Sequence, residues 1–501
     1  MTISPSATST TRSRRVIERP WVLIRLGGVY ASSRALGLLR EMGVAFFFGT
    51  SAAADRLSAA FVVASLISTV VGEACYAGSV RWLAPTKTDA GQHLSEARYA
   101  ALVLVGRRAS VAAMTLFAIV GPIATMIVLG RTTGALQTAL LAAALAPSVG
   151  ASLFQACVNA RLTLERRFVL LNMAQTLYSA GALVGLAVIA LAGERIGPVP
   201  VAVGWSLGNV ASAWLLYLRA RPRADLESTH AISSRGLLWF GLPLATAYSL
   251  FAVEGLTDRM VAARLGQGRV AALSYADRLF LLPIGFVIAA LGPMVLGALV
   301  VGRGTKDLTR SANEQLQTLV AAIVPLSLLF VALAPNLVSL VFESGNFNAH
   351  SRVITQQALD GFSVGIGAVA VSLVLFRAMQ AVGRLRQIVF IAVAAVVFNA
   401  VTTVGAGIWL GLYGVTLSTS LVAIATVCLQ TEGLVAEFGR PWSHRIYKSA
   451  VFPVIGCCAV SLTIVSISHA GVLEERGRVM VSVLATLVFG LLLNLRRRQT
   501  Q

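Results

Sequence analysis

The chain has 501 residues, of which 56% are hydrophobic and only 12% charged, and its mean hydropathy is +0.78. Soluble globular proteins carry about 25% charged residues, so the composition excludes that class and describes an all-α integral membrane protein that crosses the bilayer many times. The net charge of +20 comes from 41 Lys plus Arg against 21 Asp plus Glu; the basic residues recur in short loops rather than in one block, which is the positive-inside pattern and not a nucleic-acid footprint.

Residues 1–20 are polar and basic and lack the short apolar core of a signal peptide, so they are expected to form a disordered cytoplasmic tail. The first apolar run, 21–47, is long enough to cross a bilayer, yet it holds Arg25, Arg34 and Arg40. A charge near the centre of a spanning helix costs about 2.5–3.5 kcal/mol on insertion scales, so these arginines are expected to face a wet cavity or a partner. At 100° per residue Ser33, Gly37, Arg40 and Val44 form one stripe, and Arg34, Leu38 and Glu41 the next. The plainer alternative has Arg25 reaching the headgroups while Arg34 and Arg40 pair with acids elsewhere in the bundle.

Further spans are predicted over 59–83, 110–129, 134–158, 168–192 and 198–218, then, past a basic linker with Arg219, Arg221, Arg223 and Arg235, over 236–257, 272–300, 316–342, 354–382, 386–409, 412–434, 447–468 and 477–495. These make fourteen. An even number puts both termini on one side, and both are basic: Arg12, Arg14 and Arg15 at the start, Arg496, Arg497 and Arg498 at the end. Both are therefore assigned to the cytoplasm, with the connection carrying Arg259, Arg264 and Arg269 as the exception on the outer side. The loops are too short to hide a soluble catalytic domain.

Ala54-Asp55-Arg56-Leu57 is repeated as Ala276-Asp277-Arg278-Leu279, and the basic turn Arg161–Arg167 is echoed by Arg377–Arg386. Six spans separate the copies, which predicts two lobes, 21–220 and 235–435, related by a parallel pseudo-two-fold along the membrane normal, followed by two further spans over 445–496. Asp55 and Asp277 are read as caps at the starts of their own helices. Glu73, mid-span beside Gly72 and Ala74, is placed to pair with a first-helix arginine or to act as interhelical glue. Asn399 and Thr403 share a face at i, i+4; they are placed to join an acid of the seventh span, Asp258, around a small cation, or simply to bond between helices.

The five cysteines lie in apolar stretches and the five histidines far apart in loops, so no metal site is expected. No catalytic constellation, phosphate-binding loop or cofactor motif is present in the sequence.

Several stretches together resemble one family: Ser33-Arg34-Ala35-Leu36-Gly37 with Arg40-Glu41; Phe48-Gly49 with Asp55; Gly72-Glu73-Ala74; Tyr275-Ala276-Asp277-Arg278-Leu279 through Pro283 and Gly285; Phe342-Glu343-Ser344-Gly345-Asn346-Phe347; and the region of Asn399. Over about residues 25–435 the chain is similar to the MviN-type lipid II flippases of the multidrug, oligosaccharidyl-lipid and polysaccharide exporter superfamily. The resemblance implies fourteen helices in two six-helix lobes around a V-shaped cavity, a groove for a polyprenyl tail along the last two spans, and a place in the bacterial inner membrane. It implies alternating-access export of an undecaprenyl-diphosphate-linked saccharide, with membrane lipids and cell-wall or polysaccharide synthesis enzymes as partners. On this resemblance Arg34, Arg40 and Arg278 fall on essential cavity arginines, and Glu41, Asp55, Glu73 and Asp277 on acidic positions. The chain departs from the family in having Glu41 where aspartate is usual and Ser68 where an arginine often precedes the glutamate by five residues. That leaves an exopolysaccharide or another lipid-linked oligosaccharide as an alternative cargo. A drug or cation antiporter of the same superfamily would call for an acidic cavity, and a membrane glycosyltransferase for substantial outer loops.

Overall fold

The structure, a computed structural model, describes residues 20–83, 92–130, 134–165, 167–222, 249–250, 253–301, 305–469 and 477–488. The tail before residue 20, the first part of the seventh span and the basic C-terminal end lie outside the described residues. The elements are helices throughout this range: α1 (Pro20–Phe48), α2 (Ala52–Leu83), α3 (Gln92–Leu129), α4 (Ala135–Leu164), α5 (Phe168–Ala192), a 3₁₀ turn (Glu194–Ile196), α6 (Val199–Arg219), α7 (253–265), α8 (Arg269–Val301), α9 (Thr305–Phe342), α10 (Ala349–Val364), α11 (Ile366–Ala381), α12 (Leu385–Phe438), α13 (Arg440–Ile446), a π turn (Tyr447–Val451), α14 (Phe452–His469) and α15 (Gly477–Val488). The physical reason is that hydrocarbon offers no partners to backbone N–H and C=O, so a segment that enters it must satisfy them within itself. Among the described residues eight helices are long and apolar enough to cross a membrane, and nine if the bent pair α10–α11 is one span.

Two differences from the expected spans have local causes. The span expected over 354–382 is two helices bent by 52° at Gly365. α12 spans 54 residues; as one straight helix it would be about 80 Å long, far more than the ~30 Å hydrocarbon layer. Gly411 breaks it, with φ 61° and ψ −140°, a conformation open to glycine. Thr403 Oγ1 and Ser418 Oγ then lie 2.5 Å apart, so the chain doubles back there and the two expected spans on either side of residue 411 are an antiparallel pair. Other helices begin earlier than hydropathy suggested, α3 at Gln92 and α9 at Thr305, because polar turns extend them past the apolar layer.

α1 packs on α5, α2 on α3 and α4, and α6 on α4 and α5; α8 packs on α9, α10 and α11, and α12 on α10 and α11. Between these groups α1 and α2 touch α8, and α1 touches α9. The α5–α6 contact is made by two facing pairs of glycines, Gly181 and Gly185 against Gly204 and Gly208, whose backbones approach so closely that a methyl group at Gly181 or Gly204 would overlap the opposite carbonyl. Outward, Leu116, Ile119, Ile123 and Ile127 of α3 are exposed at helical spacing, the apolar stripe that lipid covers.

The glycine contact sets a prediction. Gly204→Val should force α5 and α6 apart and lower the detergent melting temperature by several degrees, since overpacking costs about 1–3 kcal/mol. Gly405→Ala, where an added Cβ meets nothing within 4 Å, should leave the melting temperature equal or higher, because alanine is favoured over glycine in a helix by about 1 kcal/mol.

Candidate functional site

The arginines of α1 are held by different means. Arg40 is 3% exposed. Its guanidinium lies 4.4 Å above the Trp205 ring and 5.6 Å from that of Phe61, and it is ion-paired with the adjacent Glu41. Glu41 also accepts a hydrogen bond from Arg278 Nε of α8 at 3.2 Å. One buried carboxylate thus joins two arginines 238 residues apart in the chain. Arg278 keeps 41% of its side chain exposed against 11% for Glu41, so the arginine, and not the acid, faces the open space. Arg34, Arg40 and Arg278 line a single cavity of about 160 Å³ together with Ser33, Gly37 and Tyr178. Among the described residues at this wall stand three guanidinium groups and the Glu41 carboxylate, and at low dielectric guanidinium donors attract an anion strongly, with bidentate geometry suited to phosphate.

Glu73 does not line this cavity. It lines a second, larger one of about 580 Å³, walled by α2, α4, α5 and α6, and Tyr178 and Trp205 are common to both.

The remaining acids depart from the sequence reading. Asp55 is not the cap of its own helix: it is the fourth residue of α2, and its carboxylate accepts the backbone N–H of Gly268 at 2.6 Å and of Ala271 at 2.9 Å, capping α8 instead. Four unpaired N–H groups at a helix start and the positive end of the dipole draw a carboxylate wherever it comes from. Asp277 is no cap either, because α8 begins at Arg269 and Asp277 lies two turns inside; it faces Arg259 of α7 at 3.7 Å, a Coulombic contact beyond hydrogen-bond range.

The Asp55 cap belongs to a sealed end. Tyr275 donates its hydroxyl to Gly49 O at 2.7 Å, Asn346 donates its backbone N–H to Phe46 O at 2.8 Å and its side-chain amide to Phe47 O at 2.6 Å, and Thr50 and Ser351 hydroxyls meet at 2.7 Å. Asn346 also reaches Glu194 at 3.0 Å. The turns α1–α2, α5–α6, α7–α8 and α9–α10 are therefore locked to one another, over a cluster of Tyr275, Phe342 and Phe347.

Asp258, Asn399 and Thr403 do meet. The Asp258 carboxylate, 5% exposed, accepts from Asn399 Nδ2 at 3.0 Å and Thr419 Oγ1 at 2.9 Å, with Thr403 Oγ1 at 3.1 Å. The carboxylate and the threonine hydroxyl oxygens are hard donors of the kind a small cation takes, while the Asn399 amide turns its Nδ2 to the acid and its Oδ1 to Thr403 Oγ1. Thr419 was not found from the sequence, because it reaches Asp258 only through the reversal at Gly411. No group of three or more His, Cys, Asp or Glu that could hold a metal exists among the described residues.

A helical bundle in lipid that turns its charged side chains inward, onto cavities and across a sealed end, is built as a multi-pass membrane transporter. The family model described as lipid II flippase MurJ matches residues 44–485, and the chain belongs to that family. It is 25% identical over 433 residues to the lipid II flippase MurJ of Burkholderia cenocepacia, covering 82% of this chain and 83% of that one, and 23% identical over 362 residues to the probable lipid II flippase MurJ of Rhizobium meliloti, covering 68% and 67%. A solved structure of lipid II flippase MurJ in an inward closed conformation shares the fold with TM-score 0.77 at 17% identity, over 95% of this chain and 100% of that one. An inward-facing multidrug resistance MATE transporter of the MOP superfamily shares it with TM-score 0.66 at 16% identity, over 85% and 98%.

The seal is testable. Asp55→Asn would replace the charged acceptor and present an amide to backbone N–H groups, and hydrogen bonds to charged groups contribute about 1.5–3 kcal/mol each. A cysteine placed at Ala54, which is fully buried, should then react with a soluble maleimide at least tenfold faster than in the Asp55 protein. An unchanged rate would show that the cap does not hold this end shut.

Proposed function

We propose that the chain carries lipid II, an undecaprenyl-diphosphate-linked saccharide, across the inner membrane by alternating access. The observation that carries this reading is the convergence of Arg34, Arg40 and Arg278 on one cavity, with Glu41 positioning two of them. A diphosphate is the anion those donors suit. In this reading the sealed end faces outward and the basic turns face the cytoplasm along with both termini. Residues 21–220 and 235–435 act as two lobes of six spans, and the last two spans, within 445–496, hold the polyprenyl tail in lipid. Breaking the bonds of Asp55, Tyr275 and Asn346 opens the outer side after the headgroup has loaded.

The oxygen cluster at Asp258, Asn399, Thr403 and Thr419 is where an ion would be coupled to that change. One charge crossing the full membrane potential contributes about 2.3 kcal/mol per 100 mV, enough to bias a two-state equilibrium about fiftyfold. A second cargo, a lipid-linked oligosaccharide for an exopolysaccharide, is favoured by one observation: Ser68, where the family often has arginine, lines the larger cavity.

In sealed vesicles containing the purified protein, fluorescent lipid II should move across the bilayer. Arg34→Ala or Arg278→Ala should reduce that rate at least tenfold with membrane abundance preserved; an equal fall in both would make the arginine structural. Movement of an exopolysaccharide precursor but not of lipid II would select the second cargo. Asp258→Asn should leave lipid II binding intact and abolish the response of transport to an imposed sodium or proton gradient. A gradient response equal to that of the unaltered chain would remove Asp258 from coupling.

A further inference from the structure

The last two helices are held by contacts that neither the arginine cavity nor the seal uses. α14 packs on α9, α10 and α11. α15 turns one face outward, with Met480, Leu484, Leu487 and Val488 exposed, and buries Arg478 and Ser482 on the other. Acyl chains are as apolar as leucine, so a peripheral helix pair gains nothing from moving apolar surface out of lipid, and polar bonds or close small-residue packing must hold it. Arg478 supplies such bonds. It is 1% exposed; its Nε donates to the Val331 carbonyl of α9 at 2.9 Å, and its Nη1 at 3.4 Å and its Nη2 donate to the Asp360 carboxylate of α10, which is fully buried.

Each half of that socket has a cause in the sequence. Residue 335 is a proline inside α9, and proline has no N–H, so the carbonyl four residues earlier, that of Val331, loses its helical partner. A buried carbonyl without a donor and a buried carboxylate without a counter-charge are both costly. One guanidinium, with five N–H groups in a fixed fork, satisfies the two together. His469, the last residue of α14, places Nε2 3.1 Å from Asp360 Oδ2, and its ring meets that of Tyr413 at 4.9 Å. Asp360 is thus reached from the end of α14 and from the first turn of α15, once by each helix of the pair. Withdrawing Arg478 would strand the acid at low dielectric, which makes this contact far harder to exchange than the neutral bonds of the seal.

We propose that Asp360 and Arg478 are positioning residues that fasten α14 and α15 to α9 and α10, so that the last two helices move with these as one body during transport. Apolar residues of similar volume often replace a buried ion pair without loss of stability. What this pair fixes is placement, because a single seating of Arg478 serves the proline-freed carbonyl and the carboxylate together. The consequence for cargo rests on the proposed function: a polyprenyl tail lying along these spans would follow the second lobe, while Arg34 and Arg40 on α1 belong to the first.

The test is a spin-label distance measurement on the purified full chain, with the five native cysteines replaced by alanine and labels at Leu484 of α15 and Val353 of α10, both exposed. The unaltered protein should give one narrow distance distribution, the same with and without lipid II. Asp360→Leu combined with Arg478→Met, which removes both charges, should double its width or add a second peak while the melting temperature stays within about 3 °C; Arg478→Met alone, which strands the acid, should lower that temperature by about 5 °C or more. Should the double variant fail to fold, Pro335→Ala decides, since it returns an N–H to the Val331 carbonyl and leaves both charges in place: it should broaden the distribution without lowering the melting temperature. A broad distribution in the unaltered protein, or an unchanged narrow one in the deciding variant, overturns the fastening. In sealed vesicles the unaltered chain should move lipid II at least about tenfold faster than its farnesyl-tailed analogue, and the double variant should bring that ratio close to one. A ratio near one in the unaltered chain, or one the variant leaves unchanged, overturns the consequence for the tail alone. Failure to move either lipid overturns the proposed cargo, and the distances still decide the fastening.

Discussion

Glu41 stands between two arginines, Arg40 beside it on α1 and Arg278 across from it on α8, and the cavity exists because of that meeting. A guanidinium in hydrocarbon is costly, and removing one partner of a buried ion pair costs about 3–5 kcal/mol because the other charge is stranded. α1 and α8 are thus held at a fixed separation by a contact neither can abandon cheaply. Trp205 covers the flat face of the Arg40 guanidinium, which brings α6 in as a further wall without supplying a second acid. An additional carboxylate would have lowered the positive charge of the site. An aromatic face stabilises the cation while leaving the positive charge available.

The sealed end uses weaker interactions, and more of them. Backbone carbonyls at Phe46, Phe47 and Gly49 receive bonds from Asn346 and Tyr275, while Asp55 caps α8. Each neutral bond contributes about 0.5–1.5 kcal/mol net, and the closing surface is made of chain turns laid over the aromatic cluster of Tyr275, Phe342 and Phe347. Such a seal can open when a few bonds are exchanged, whereas the glycine contact of α5 with α6 cannot slide without overlap. The α5–α6 pair is thus fixed by close backbone contact, whereas the turns are joined by bonds that can be exchanged.

Hydropathy and the arginines of the first run made the all-helical membrane class, most span positions and the cationic cavity legible from the residues alone. What stayed hidden depended on distance in sequence. The repeated Ala-Asp-Arg-Leu pointed to two equivalent aspartates, but the tetrapeptide begins near the start of α2 and two turns into α8, so Asp55 caps a neighbour and Asp277 meets Arg259. No local pattern signals a cap supplied from 213 residues away. Thr419 was invisible for the same reason, since only the reversal at Gly411 carries it to Asp258. The polar stripe of α4 was readable in principle, at Ser148, Ser152, Asn159 and Thr163, but its hydroxyl and amide groups cost little in a helix and do not stand out as an arginine does.

These long-range pairings leave a physical connection between the Asp258 cluster and the arginine cavity. Asp258 and Arg259 are neighbours on α7; Arg259 faces Asp277 at 3.7 Å; Asp277 and Arg278 are neighbours on α8; and Arg278 bonds Glu41 at 3.2 Å. Acids and bases alternate along this run, so each charge is stabilised by the next. A cation entering among Asp258, Asn399, Thr403 and Thr419 would compete with Arg259 for Asp258 and turn Arg259 toward Asp277, loosening the hold of Asp277 on Arg278, while an anion entering the cavity would compete with Glu41 for Arg278. Both events act on the same pair of helices, and a coupling free energy between them must be reciprocal: whatever the cation does to the hold of Arg278 on an anion, the anion does to the hold of Asp258 on a cation. Because the α7–α8 turn carries Gly268 and the first turn of α8 carries Ala271, the donors that Asp55 caps, the same two helices connect the Asp258 cluster, the arginine cavity and the seal.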